Sequence, residues 1–283
     1  MTSHPRLTRP EPLHQQIARK FRNDIAAGVL HDGSVLPATR ELAKQHGVSV
    51  FTINEAMRLL TSEGLVRSES RSKRVVTAHD QTRRDEIRLR QPRVILIGGY
   101  AGSGKTELGR IMARQTGWPM LDKDTLTRPV VEAALEMLGQ SPNDRESDTY
   151  LERVRPREYE ALASAATENI ECGNSAIVTA PFLKEFKDSN WISKTVARYA
   201  DIGAQVTLVW VYCDLASMHT YVRHRGAARD AVKLANWDEY AATVDLEIRP
   251  QVPHYVIDNC TSSEPLRDQA KHLLKSVLDG EEL

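Results

Sequence analysis

Gly99, Tyr100, Ala101, Gly102, Ser103, Gly104, Lys105 and Thr106 spell GxxxxGK[ST], a spacing whose residue types suit one chemistry, the grip on a polyphosphate. Glycines let backbone N–H groups crowd around phosphate oxygens, Lys105 neutralises the terminal phosphates, and the Thr106 hydroxyl is placed to ligate magnesium. The apolar run Val94 to Gly98 ahead of the loop reads as a buried strand, and Glu107 to Gln115 behind it as a helix whose positive end would face the anion. That setting lifts the match above a bare motif; a degenerate loop that has lost its ligand is the alternative. With no NKxD-like guanine motif, the expected cofactors are ATP and Mg2+.

Further strands are expected at Met120 to Leu121, Ala176 to Thr179, Val206 to Tyr212 and Tyr255 to Ile257, with helical stretches between them. This βα alternation implies a parallel sheet covered on both faces, so the fold class of the C-terminal part is an α/β sandwich of the P-loop NTPase type. Chemistry-bearing residues recur at its strand ends and in one arginine-rich segment: "GWPMLDKDTLTRP" carries Asp122 and Asp124, "YVRHRGAARD" carries Arg223, Arg225 and Arg229, and "HYVIDN" ends on Asn259.

At these residues the domain resembles the small P-loop kinases, the group that includes chloramphenicol phosphotransferase, gluconate kinase and zeta toxins. The resemblance spans most of 94 to 275 and implies roles. Asp124 would bind an acceptor hydroxyl and act as base, with Asp122 beside it toward the metal. Arg223, Arg225 and Arg229 would form a lid over the phosphates, and Asn259 would lie on the base side. Read without the resemblance, Asp122 and Asp124 equally suit the cap and first turn of a helix, and the arginines suit surface salt bridges. Many relatives end the third strand with an Asp that orders the magnesium shell; Ile177 to Phe182 has no carboxylate, which speaks against strong catalysis.

Ahead of the loop, Leu13, Ile17, Phe21, Ile25 and Val29 recur four residues apart, the stripe of a helix ending near Gly28. Thr39 to His46 and Ser49 to Glu63 read as two helices joined at Gly47, with Ser49 as N-cap. Leu65 to Thr77 reads as a two-stranded hairpin with Arg71, Lys73 and Arg74 at its tip. Three helices and a basic hairpin make a winged helix-turn-helix. The run "AAGVLHDGSVLPATRELAKQHGVSVFTINEAMRLLTSEGLV" closely resembles the winged heads of the GntR family of bacterial transcription regulators. The resemblance implies that Arg40 contacts DNA, that Ser49 to Asn54 (Ser49, Val50, Thr52 and Asn54 among them) enter the major groove, and that Arg71 to Arg74 approach the minor groove. Val50 and Asn54 replace two arginines usual in the family; Asn suits adenine and Val a thymine methyl, so an operator richer in A and T is expected. A protein-binding role for the head is the alternative.

Domain boundaries follow: 1–77 for the winged head, 78–92 for a charged linker, 93–283 for the nucleotide-binding part. The net charge of zero is uneven, since residues 1–93 hold 17 Lys and Arg against 10 Asp and Glu, leaving 21 against 28 for the rest. A polyanion partner is therefore expected for the first part alone. No apolar run is long enough to cross a bilayer and MTSHPRL lacks the pattern of a signal peptide, so a cytoplasmic location is expected. Cys172, Cys213 and Cys260 are far apart, two of them in expected buried strands, which argues against a disulfide framework or a zinc site. The sequence thus reads as an ATP-binding transcription regulator, a repressor acting as a homodimer on double-stranded operator DNA, with an ATP-dependent small-molecule kinase carrying an autoregulatory head as the second reading.

Overall fold

The computed structural model describes residues 11–27, 29–70, 73–77, 91–226 and 230–279, the Val232 side chain excepted. They belong to two compact units, Met1–Leu89 and Arg90–Leu283. The division falls in the charged stretch assigned to the linker, of which 78–90 lie outside the described residues.

The N-terminal unit contains α1 (Leu13–Ala26), α2 (Thr39–His46) and α3 (Val50–Ser62), with β1 (Val35–Leu36), β2 (Val66–Ser68) and β3 (Arg74–Val76). Ile17, Phe21 and Ile25 of α1 join Ile53, Met57 and Leu60 of α3 in one buried cluster. Each such side chain contributes about 1.5–3 kcal/mol on burial. Leu13, at the first position of the helix, is 57% exposed, and Val29, expected to extend the stripe, is 68% exposed because the helix stops at Ala26. Ser49 caps α3 as expected, its Oγ accepting the Thr52 N–H at 3.1 Å. The hairpin gains a third strand: β3 lies between β1 and β2, antiparallel to both. Two residues ahead of a proline show no alternation, so β1 left no periodic signal.

In the C-terminal unit, β4 (Arg93–Gly98), β5 (Met120–Asp122), β6 (Ala176–Thr179), β7 (Gln205–Tyr212) and β8 (Tyr255–Asp258) form a parallel sheet in the order β5-β6-β4-β7-β8. Its helices are α4 (Lys105–Thr116), α5 (Lys123–Met137), α6 (Arg155–Glu171), α7 (Ser189–Asp201), α8 (Leu215–Arg225), α9 (Ala231–Ala235), α10 (Trp237–Ala242) and α11 (Leu266–Asp279), with a π-helical turn at Thr149–Val154 before α6. Side chains alternate across the sheet. Val94 and Leu96 pack with Leu162 and Ile170 of α6 and Ile192 of α7. Ile95 and Ile97 pack on the other face with Leu108 and Met112 of α4 and Leu273 of α11. Helices on both faces explain why β4 is apolar throughout. From central β4 the chain goes to β5 on one side and later to β7 on the other, and this reversal opens a crevice at the strands' carboxyl ends. No helix among the described residues is long and apolar enough to cross a membrane.

The three cysteines are free: Cys172 is exposed, Cys213 buried and Cys260 half-buried. The last two follow β7 and β8 rather than lying inside them, since each strand ends one or two residues earlier. Burial, with Asp214 and Asp258 nearby, pushes both thiols up to about 12. Only a thiolate attacks an alkylating reagent. Brief iodoacetamide treatment of the native protein at pH 8 is therefore expected to modify Cys172 alone, as read by peptide mass spectrometry; labelling of Cys213 or Cys260 at a similar rate would contradict this placement.

Candidate functional site

The phosphate-loop residues lie at the carboxyl end of β4. Gly102 turns at φ 84°, and a Cβ there would sit 2.5 Å from Val222 of α8; at Gly104, φ 97°, a Cβ would strike the Asn259 amide. Side chains are thus excluded from both positions by conformation and by space. The Asn259 amide donates to Ser103 O at 2.9 Å and so holds the loop from the β8 side. On the other side the Gly99 N–H donates to Pro181 O at 3.0 Å. Lys105 Nζ donates to Tyr100 O at 2.6 Å. Ser103 is buried, and its Oγ has no hydrogen-bond partner.

Asp122, the last residue of β5, caps the following helix and also reaches the loop. Its Oδ1 accepts the Thr125 N–H at 3.0 Å, capping α5, while its Oδ2 accepts the Thr106 hydroxyl at 3.1 Å and the Thr179 hydroxyl at 2.7 Å. The third strand, β6, indeed ends without a carboxylate, but its Thr179 fixes a carboxylate from the neighbouring strand beside the loop. A glycine cradle, a lysine and a hydroxyl–carboxylate pair fit a magnesium nucleotide. Lys105, Thr106 and Asp122 are the residues that would hold it.

A cleft of about 770 Å³ runs from this loop past Asp122 and Asp124, with Arg225 on its wall. Arg225 donates to Asp230 Oδ2 through Nε at 2.8 Å, and Asp230 is buried, so this arginine is fixed at the cleft by a salt bridge. Arg223 is exposed on the same helix and does not line the cleft. Arg229 lies outside the described residues.

Beyond Asp124 the wall contains residues that the sequence reading missed. Lys123, between the two aspartates, is 4% exposed, and its Nζ lies 3.0 Å from Asp124 Oδ1 and 2.8 Å from Glu158 Oε1. Glu158, 2% exposed, also receives the Tyr150 hydroxyl at 2.6 Å and the Thr127 hydroxyl at 2.7 Å. Burial alone would lower the Lys123 pKa; Asp124 and Glu158 outweigh it and hold the amine above its ordinary value. Arg155 donates to both Glu185 oxygens, and Phe182, buried next to the cleft residue Pro181 in sequence, adopts a left-handed φ of 49°. A signal was present: Lys123-Thr127-Val131-Leu135 and Glu158-Leu162-Ala166-Ile170 are buried stripes with i,i+4 spacing, each beginning with a charge of opposite sign.

In the N-terminal unit, Val50 and Phe51 are exposed at the start of α3, at 43% and 73%, and Arg40 is exposed on α2. Ser49 and Thr52 share a hydroxyl contact of 2.8 Å. Lys73 pairs with Glu69 at 2.7 Å. Arg74 is not at a hairpin tip: it begins β3, and its guanidinium donates to Thr39 Oγ1 at 2.7 Å and to Asn54 Oδ1 at 3.1 Å. Its strand position, beside the start of α2, turns the side chain toward α3. Arg71 lies outside the described residues.

Residues 94–246 match the family described as AAA domain, and residues 13–76 match bacterial regulatory proteins of the gntR family. The chain is 31% identical over 99 residues to a shikimate kinase from Moorella thermoacetica, covering 35% of this chain and 55% of that protein. It is 40% identical over 55 residues to the HTH-type transcriptional regulator GgaR of Escherichia coli (strain K12), covering 19% and 22%. The chain therefore spans about half the length of that kinase and about a fifth of that regulator. A solved gluconokinase from Sinorhizobium meliloti 1021 matches 68% of this chain and 96% of its own, with 19% identity and a TM-score of 0.45.

Truncating Glu158 would remove the acceptor shared by Lys123, Thr127 and Tyr150. Glu158→Ala is expected to cost about 3–5 kcal/mol of stability, measured by denaturant unfolding of the C-terminal unit's transition; a loss below about 1 kcal/mol would contradict a buried ion pair at this position.

Proposed function

We propose a function from one premise: the chain belongs to the AAA domain family, with a regulatory domain of the gntR family ahead of it. It is a DNA-binding transcription regulator whose C-terminal unit binds ATP with Mg2+ and whose operator affinity depends on that nucleotide. The observation that carries this reading is the Thr106 hydroxyl 3.1 Å from Asp122 Oδ2, beside a loop whose glycines turn at left-handed φ against α8 and Asn259. Magnesium, when bound, supplies charge neutralisation at the phosphates. Lys105 adds a positive point charge, and Thr179 keeps Asp122 turned to the loop.

The regulator acts in the cytoplasm as a repressor, and as a homodimer, because a two-fold protein on two half-sites is the simplest geometry for a helix-turn-helix head. For ATP to be a signal it must bind the DNA-competent and DNA-incompetent states with different affinity, since equal binding shifts nothing.

One observation favours a second reading, a small-molecule kinase. Asp124 lines the cleft beyond the loop, with the buried Lys123 ammonium 3.0 Å from its Oδ1. There it would accept the proton of an acceptor hydroxyl as that oxygen bonds to the terminal phosphorus and the bond to the bridging oxygen breaks, with Arg225 near the developing charge.

DNA-affinity sequencing of the full-length protein would supply its binding sites, and retention of those sites would then be measured with and without Mg-ATP alongside ADP formation. The expected result is intact ATP and an operator affinity changed by about fivefold or more, with the change abolished in Lys105→Ala while DNA binding survives. ADP that forms only with an added acceptor replaces this reading with the kinase; neither ADP nor any change in retention defeats both.

A further inference from the structure

Asn54 and Arg74 meet across the N-terminal unit in a way that decides what Asn54 can read. Asn54 is exposed on α3, one turn after its capped start, on the helix that the preceding reading places in the major groove. Arg74 comes from β3 and is half-buried. One nitrogen, Nη1, donates to Thr39 Oγ1 at the start of α2, and the other, Nη2, donates to Asn54 Oδ1. The guanidinium is planar and its donors are fixed in direction, so its bond to Thr39 sets where the second donor points. The amide of Asn54 is planar too. Holding its oxygen toward Arg74 and the protein leaves its nitrogen as the end that faces outward.

An Asn reads adenine through two bonds at once, donating to N7 and accepting from the N6 amino group. That pairing needs the amide oxygen in the groove. With the oxygen turned back to Arg74, Asn54 offers donors only. Guanine presents two adjacent acceptors, N7 and O6, and thymine presents O4; adenine keeps one acceptor, N7, beside an amino group that would confront a donor with a donor, and cytosine presents its amino group alone. We infer that Asn54, oriented by Arg74, specifies a base with an acceptor edge, guanine or thymine, at one operator position and favours it over adenine, whose edge holds a single acceptor. This revises the adenine preference expected from the residue type alone. It rests on the reading that α3 enters the major groove, and it makes Arg74 a positioning residue for recognition rather than a minor-groove contact.

The test is selection of binding sites from a random duplex pool by the full-length protein and three variants. Asn54→Ala identifies the position, as the one whose base preference disappears. Wild type is expected to carry guanine or thymine there. In Asn54→Asp the outward nitrogen becomes an oxygen while the bond to Arg74 remains, so the preference is expected to move to cytosine, whose N4 amino group is a donor. In Arg74→Ala the amide is free to turn, and adenine is expected to gain roughly five- to tenfold at that position alone, the scale of one side-chain–base pairing. Adenine, cytosine or no preference in wild type overturns the inference, and so does Asn54→Asp with its guanine or thymine preference retained. Should Arg74→Ala fail to fold, as judged by circular dichroism, the Asn54→Asp result still decides. If Asn54→Ala alters no position of an otherwise well-defined motif, the groove assignment of α3 itself falls, an outcome distinct from a motif with the wrong base.

Discussion

A main chain that is to donate its N–H groups to phosphate oxygens has to come closer to them than side chains allow, and that constraint governs the C-terminal unit. It requires a tight left-handed turn, which leaves no space for a Cβ at Gly102 against Val222 or at Gly104 against Asn259, and it requires something to hold that bare turn in shape. The holding comes from the sheet. Asn259 after β8 grips Ser103 O, and Pro181 after β6 accepts the Gly99 N–H. Asp122 at the end of β5 reaches the first turn of α4 through Thr106. Three parallel strands around β4 thus brace one loop, which explains why the site needs the whole sheet behind it and lies at its point of reversal.

The rest of the cleft is built on a costlier principle. Taking Lys123 and Glu158 out of water carries a desolvation penalty of several kcal/mol per ion, and such pairs often stabilise a fold less than apolar residues of similar size would. Here further bonds offset that penalty: Glu158 receives hydroxyls from Tyr150 and Thr127, and Lys123 reaches Asp124 as well. The arrangement ties the first turn of α5 to the first turn of α6 and, through the π-helical turn that carries Tyr150, to the segment before it. It also fixes where the Asp124 carboxylate stands at the cleft. The π-helical turn, whose Tyr150 and Leu151 line the cleft, is a local departure of the sort that gathers where geometry is under functional constraint.

Much of this was legible in the residues. All five strands of the large sheet lie within one residue of the apolar runs that announced them, because a strand buried on both faces is written as a continuous apolar segment. The positions of the loop residues, Asp122 and Asn259 were legible because they lie together in sequence or at strand ends, but that Asn259 holds the loop through Ser103 O was not. Lys123 and Glu158 were not, since each is a charged residue at the head of an apolar stripe, and nothing in one stripe says that it faces the other. Arg74 escaped for a related reason: a basic residue near a turn reads as a solvated tip, and only the register of β3 against β1 and β2 shows that its side chain meets Thr39 and Asn54. Long-range pairing, not residue type, decided these positions.

The central claim is that backbone amides of residues 99–106, with Lys105 and Thr106, hold a magnesium nucleotide. Calorimetric titration of Mg-ATP into the full-length protein, paired with the melting temperature at saturation, tests it most directly. Saturable heat is expected, with the melting temperature rising by about 5 °C or more at a hundredfold excess over Kd, since a ligand bound only to the folded state stabilises it by mass action. Absence of heat and of any thermal shift with every purine triphosphate at millimolar concentration would contradict the account.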